Sequence, residues 1–388
     1  MTQQATCQQR MFAGAPCGLP VDSSHSTLCI LHDPNETKDT GLFDEVLRGK
    51  IKQDEADPAL EMIDLSNVVF HCVPKFDSRV FKKVAYFHEA MFTKGASFCG
   101  ARFVSEAHFW GARFRGKADF TLARFEGTAR FSSAQFDVVD FNDARFDNVG
   151  RFTLTSFEGE TNFWGTVFSD HVRFGQVDMS RVQLLGTDVS KVHFVGCTWP
   201  KKPDPLLWPF PIKWPKFLVS SRNAVHDEIL LVQNLEPEDA YAYKQRFYDV
   251  SGLYRQLRLN LEASRQEIEA GDFYIGQMEM RRLDSEYGLA YRGLLWLYRA
   301  IAMYGESPWR PLLVYWLLAA PLFALGYWWR GDVTYADGLF SALTAGALFR
   351  QIPAGIEGWE KLLIYGNMLA DIFLLGLTLL ALRRRFHR

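Results

Sequence analysis

Residues 101–125 read ARFVSEAHFWGARFRGKADFTLARF, with Phe at 103, 109, 114, 120 and 125. Ala101, Ala107, Ala112, Ala118 and Ala123 each stand two residues before one of these Phe. Outward from this stretch, Phe recurs from Phe70 to Phe174 in steps that alternate five and six, with a plain run of fives between Phe131 and Phe146. The register reaches back to Leu65 and forward through Met179, Leu184, Val189, Phe194 and Trp199. Other small or compact residues take the minus-two slot further along: Val139, Gly150, Thr155, Thr161, Thr166, Val172 and Val177. Neither the 3.6-residue helical period nor two-residue strand alternation produces such a ladder. An internal repeat outranks any local reading of secondary structure.

A Phe centre every five residues with a small partner at minus two resembles the pentapeptide-repeat family. The resemblance covers residues 63–200 and implies a right-handed quadrilateral β-helix with four repeats per coil. It also implies Phe stacked on Phe inside, at the strand spacing of about 4.8 Å. With about 22 residues per coil, Arg102, Arg124 and Arg145 should lie above one another. His108, Arg130, Arg151 and Arg173 should form a second column. These columns are either an anion- or partner-binding ridge or a solvated face neutralised by Glu126, Asp137, Asp147 and Glu158. Residues 63–200 hold 16 basic and 15 acidic side chains, which favours the solvated face. His108, His171 and His193 are expected to face outward.

The whole chain has 388 residues, enough for two or three domains, and a formal net charge of −2. That balance argues against a nucleic-acid partner, whose phosphates call for an excess of Lys and Arg. Six Cys at uneven spacing do not read as a disulfide framework. The polar start of the chain has no apolar signal-peptide core, so the N-terminus is expected in the cytosol. No Gly-rich phosphate loop, nucleophile elbow or open metal site occurs, and an enzyme is not expected.

Ahead of the ladder, in residues 1–62, stand Cys7, Cys17, Cys29 and His32. The Cys29-x-x-His32 spacing lets two ligands share one ion, and three thiolates with an imidazole suit tetrahedral zinc. The segment resembles small Cys-Cys-Cys-His knuckles, with a first gap of nine residues that is long for them. A structural zinc site and a chance grouping of three Cys and a His both fit these residues. Residues 201–225 form a Pro- and Trp-rich linker. Residues 226–305 follow with helical periodicity and a break at Gly271-Asp272, and resemble a helical hairpin of the tetratricopeptide type. One hairpin cannot make a solenoid, so docking is its expected job; binding a cytosolic protein partner is the other.

Residues 306–388 carry two uncharged or nearly uncharged stretches, Leu312–Trp329 and Leu362–Leu382, each long enough to cross a bilayer. Trp309, Trp316, Trp328 and Trp329 suit membrane interfaces, and the Arg383–Arg385 cluster puts both termini on the cytoplasmic side of a bacterial inner membrane. Between them, Tyr335 to Phe349 is apolar but too short to span, which predicts a re-entrant helix and loop. Span, short helix, loop, span resembles the two-span pore module of the potassium-channel superfamily. The resemblance implies a homotetramer, permeant ions and a filter loop at Thr344, Ala345, Gly346, Ala347 and Leu348. Ala347 and Leu348 replace the aromatic and second Gly of that filter, so strict potassium selectivity is not expected. Asn367, Asp371 and Thr378 share a helical stripe and are the expected pore lining, with Gly376 as a gate hinge. An interhelical hydrogen bond is the other role open to Asp371. The fold class expected is therefore a mixed membrane protein: N-terminal β-helix, helical hairpin connector, and two-helix transmembrane pore domain with a re-entrant pore helix. The function expected is a cation-preferring oligomeric channel or pore with a cytosolic sensor or assembly domain, or else a non-conducting membrane-anchored scaffold.

Overall fold

The computed structural model describes residues 6–12, 14, 16–21, 27–35, 38–205, 219–233, 240–329, 334–345 and 358–386. The chain divides into two compact units: Met1–Lys201 with Asn223–Phe273, and Lys202–Arg222 with Tyr274–Arg388.

In the first unit the ladder is a β-solenoid of parallel strands. One face stacks seven strands, beginning with Met62–Asp64, Val84–Tyr86 and Ala107–His108. A second stacks five, among them Arg102–Phe103, Arg124–Phe125 and Arg145–Phe146. The remaining sheet supplies two more faces. Its long strands Arg113–Asp119 and Gln135–Asp140 pair once at Phe114↔Phe136 and again at Ala118↔Val139. Coil length follows the Phe steps. Ala107 pairs with Ala129, 22 residues on, and Arg124 with Arg145, 21 residues on. Arg173 pairs with His193, 20 residues on, where every step has become five. The residue dropped in the run of fives falls at a register shift between Phe136 and Val138.

Phe columns fill the inside. Phe87, Phe109 and Phe131 stack at 4.8 and 4.9 Å with rings parallel to within 2°. The facing column meets them edge-on, as where Phe120 approaches Phe109 at 5.6 Å and 86°. Strand spacing imposes the stacking, and the edge-to-face contacts satisfy the ring quadrupoles. The minus-two Ala residues are 0–1% exposed, which is why the slot must be small. Where Thr takes that slot its hydroxyl is still satisfied: Thr155 and Thr166 donate to the carbonyls of Phe131 and Phe141, both at 2.8 Å.

The corners explain the alternation of five and six. In most five-residue steps the second residue after the Phe has positive φ, as at Gly111 (66°) and Leu122 (58°). That left-handed residue turns the chain tightly, and the next residue's N–H donates back to the Phe carbonyl, as from Ala112 to Phe109 at 3.1 Å. The six-residue steps take an extra residue to turn more widely.

An open solenoid end would expose Phe rings and unpaired backbone, and both ends are covered. At the start, α1 (Thr40–Ala56) buries Phe43, Leu47 and Ile51, with Phe43 set edge-on to Phe70 at 5.9 Å. Asp39 caps this helix by accepting from the Leu42 N–H at 3.0 Å. At the other end come α2 (His226–Gln233), α3 (Ala240–Ala263) and α4 (Glu267–Leu283), the last shared between the units. The helical break falls at the left-handed Arg265, not at Gly271-Asp272, which α4 runs through. Asp227 accepts the backbone N–H groups of Leu184 and Leu185, both at 3.1 Å. Asn260 donates to the carbonyls of Val189 and Val192, both at 2.7 Å. Polar side chains thus finish the last coil's hydrogen bonds, and Trp199 meets Phe273 at 5.0 Å.

In the second unit, α5 (Leu289–Ala302) precedes α6 (Trp309–Val314), a π-helical turn at Tyr315–Ala319, and α7 (Ala320–Trp329). Pro321 accounts for the π turn: it has no N–H to give, and its ring crowds the carbonyl four residues back. Then follow α8 (Tyr335–Ala345) and α9 (Trp359–Phe386). Thr334 caps α8, its hydroxyl meeting the Asp337 carboxylate at 2.6 Å and the Asp337 N–H at 3.3 Å. Trp309–Gly326 and Leu362–Arg383 are long and apolar enough to cross a membrane. Only 22% and 17% of these stretches is buried, unlike the core helices of a soluble protein.

Candidate metal centre and a polar clamp between apolar helices

The four residues predicted as metal ligands come together. The ligating atoms of Cys7, Cys17, Cys29 and His32 lie within 4.8 Å of one another. A hairpin overcomes the nine-residue gap: Cys7 N–H donates to Leu19 and Cys17 N–H to Gln9, at 2.7 and 2.8 Å. A turn then presents Cys29 and His32 together, the His32 N–H donating to the Cys29 carbonyl at 3.0 Å. The contacts Cys17–Cys29 (3.9 Å), Cys7–His32 (3.6 Å) and Cys29–His32 (3.2 Å) approach the edges of a zinc tetrahedron, about 3.4–3.8 Å. His32 Nε2 donates to the Ser66 carbonyl at 3.1 Å, which leaves the Nδ1 lone pair facing the three sulfurs. The thiols shift in opposite directions, with Cys17 lowered by its hydrogen bond to Cys29. The Cys17 hydrogen bond and burial push the Cys29 thiol up to about 11, and burial also raises Cys7. A divalent ion such as zinc would reverse both effects, so the donor set fits a metal. With four protein ligands such a site would be closed, and an ion bound there would supply no open position for chemistry but would hold the hairpin against the first coil.

The predicted columns are formed. Arg102, Arg124 and Arg145 stack in register, as do His108, Arg130, Arg151 and Arg173. Glu126 and Asp147 neutralise the first column, pairing with Arg102 and Arg124 at 2.6 and 2.7 Å. His171 and His193 are exposed, but His108 is not. Its outward position is roofed over by Tyr86 at 4.5 Å, and Glu106 hydrogen bonds it at 2.7 Å, leaving 5% exposure.

Among the apolar helices, the carbonyl of Ala342 in the last turn of α8 accepts two hydrogen bonds. The Tyr315 hydroxyl donates from the π turn and Asn367 Nδ2 from α9, both at 2.9 Å. Both long apolar helices thereby grip the short one. Gly326 lets the two long helices approach closely, since a Cβ there would stand 3.2 Å from the Leu363 side chain. Of the predicted stripe, Asn367 is fully buried within the chain and Thr378 donates to the Leu374 carbonyl at 2.9 Å. Asp371 has one enclosed oxygen, Oδ2, without a hydrogen-bond partner among the described residues. Gly376 faces open space. Thr344 and Ala345 end α8, whereas Gly346, Ala347 and Leu348 lie outside the described residues. Tyr315 and Ala342 were not singled out by sequence; Pro321, which brings on the π turn at Tyr315, was the available signal.

With this geometry in hand, comparison with known families supports the repeat. Residues 109–153 match the family described as Pentapeptide repeats (9 copies). A search among curated proteins finds no match to the chain. The chain thus carries pentapeptide repeats in a β-solenoid with stacked Phe, followed by helices of which two, among the described residues, are long and apolar enough to cross a membrane.

Proposed function

We propose that this protein is an oligomeric membrane pore, cation-preferring and not strictly potassium-selective, whose pentapeptide-repeat solenoid serves as a cytosolic assembly or sensing platform. The observation that carries the reading is the double hydrogen bond from Tyr315 and Asn367 to the Ala342 carbonyl. It fixes a short apolar helix between two spanning candidates, the arrangement expected of a re-entrant pore helix. In a symmetric assembly, with four copies as the channel resemblance implies, Asp371 would repeat around an axis and favour cations. On this reading the spans sit in a bacterial inner membrane with both termini cytoplasmic. The protein is not an enzyme, and its metal is structural zinc.

A second reading is a non-conducting, membrane-anchored scaffold. The burial of Asn367 and Thr378 inside the single chain favours it, because neither side chain is then free to face an aqueous path. Single-channel recording on reconstituted protein separates the two. Discrete currents that lose cation preference in Asp371→Asn support the pore, and silence from correctly assembled protein supports the scaffold.

A further inference from the structure

Helix α5 is inside out. Its inward side carries Leu295, Arg299 and Ala302, and both of its charges are turned toward protein. Arg299 Nη1 pairs with the buried Glu279 at 2.6 Å, and Arg292 Nε donates to the Arg282 carbonyl at 3.0 Å. The outward side holds Leu289, Leu294, Trp296 and Leu297, which are 83%, 61%, 42% and 47% exposed. Ala290, Tyr291 and Gly293 are exposed beside them, so no exposed residue of α5 is charged. A water-facing helix would show the reverse arrangement.

The helix is also locked to the start of the first spanning candidate. Met303, Tyr304 and Gly305 all have positive φ (50°, 58° and 82°), which makes a tight reversal directly after α5. The Tyr304 hydroxyl donates to Glu279 at 2.5 Å, and Arg310 in α6 donates to the Arg299 carbonyl at 3.4 Å. Burial works against the Glu279 charge, but Arg299 and Arg282 outweigh it and keep its carboxyl below the usual range. After this reversal the spanning candidate also carries large exposed apolar side chains, Trp309, Trp316 and Leu317.

We infer that α5 lies in the membrane interface, with its outward face in contact with the lipid headgroup and acyl boundary. This inference rests on the reading of α6–α7 and α9 as membrane spans and adds a lipid-contact site to it. At 14 residues α5 extends about 21 Å, too short to cross the hydrocarbon. Trp296 and Tyr291 are residues that favour the interface, and no outward charge opposes immersion. The turn at Tyr304 would then hold the span at a fixed angle to the interfacial helix.

The test uses full-length protein in phosphatidylcholine–phosphatidylglycerol vesicles containing fluorescent lipid. The photoreactive residue p-benzoylphenylalanine replaces Leu294, Leu297, Leu369 in α9, or Tyr248 on the solenoid-capping α3. Lipid adducts at 294 and 297 should approach the yield at 369 and exceed that at 248 by about tenfold. Adducts at 369 alone, with 294 and 297 at background or cross-linked to a second copy of the chain, overturn the interfacial helix and leave the spans intact. Background yield at 369 overturns the membrane reading itself, and this inference with it.

Discussion

The solenoid and the membrane-like helices are both rich in large apolar side chains, yet they treat them oppositely. Phe87, Phe98, Phe109 and Phe120 are fully buried inside the coils, whereas Phe340 and Phe373 are 69% and 58% exposed. The solenoid needs no external partner for its apolar residues, because each coil covers the one before and helices cover both ends. The helical unit leaves its apolar residues outward and turns its polar groups inward, toward Glu279 and Ala342. What distinguishes the two regions is therefore where their apolar side chains go, inward in the solenoid and outward on the helices.

The largest expected contrast comes from adding bulk. Ala118→Trp must overfill a fully enclosed corner between stacked coils, costing at least about 3 kcal/mol and abolishing the folded solenoid's circular-dichroism signal and cooperative melt. Leu379→Trp, on an exposed flank of α9, should leave expression and melting in detergent unchanged. Equal damage from both would erase the distinction between the two regions.

Metal comes next. Purified protein should carry close to one zinc per chain by elemental analysis, and Cys29→Ser should lose it. Stripping the ion should open the hairpin of Cys7 and Cys17 to protease while the later coils stay protected. Native protein that carries no metal would refute the site.

A smaller effect belongs to pH. Burial and the neighbouring His108 push His88 from 6.5 down to about 4. The unfolded chain takes up this proton near pH 6.5, whereas the folded protein resists until about 4. Stability from this residue is thus complete above pH 6.5 and is lost as pH falls toward 4, by about 1–2 kcal/mol given its partial exposure. His88→Gln should flatten that part of the melting curve's pH dependence; an unchanged profile would assign the acid sensitivity elsewhere.

The smallest is the clamp. Asn367→Leu deletes one of two donors to Ala342 and should cost about 1 kcal/mol in detergent melting of the helical unit, with no effect on the solenoid. Combining it with Tyr315→Phe should cost more than either alone, since the carbonyl would then lack both partners.

How much of this was legible in the sequence varied with the physics. The ladder was plain, because a stacked Phe column and a crowded corner demand the same residue types in every coil. The alternation of five and six was equally visible, but its cause was not: Leu122 carries no mark of the left-handed backbone it adopts. The Cys and His residues could be nominated from Cys29-x-x-His32, while only the hairpin explains how Cys7 and Cys17 reach them. Helix α1 escaped notice because its buried face is three residues, Phe43, Leu47 and Ile51, a weak period. His108 was assigned outward from its column position, and the covering Tyr86 ring could not be foreseen from spacing alone. The spacing of Asn367, Asp371 and Thr378 along one helix could be read from the sequence, but the sequence carried no sign that Asn367 would bond to Ala342.

The most direct test of the pore reading is ion conductance of the purified, assembled protein in planar bilayers under asymmetric salt, with Asp371→Asn recorded alongside. The account predicts discrete cation-preferring currents whose preference falls in the variant. Silence across voltage and membrane tension from protein of verified assembly, or currents indifferent to Asp371→Asn, would contradict it.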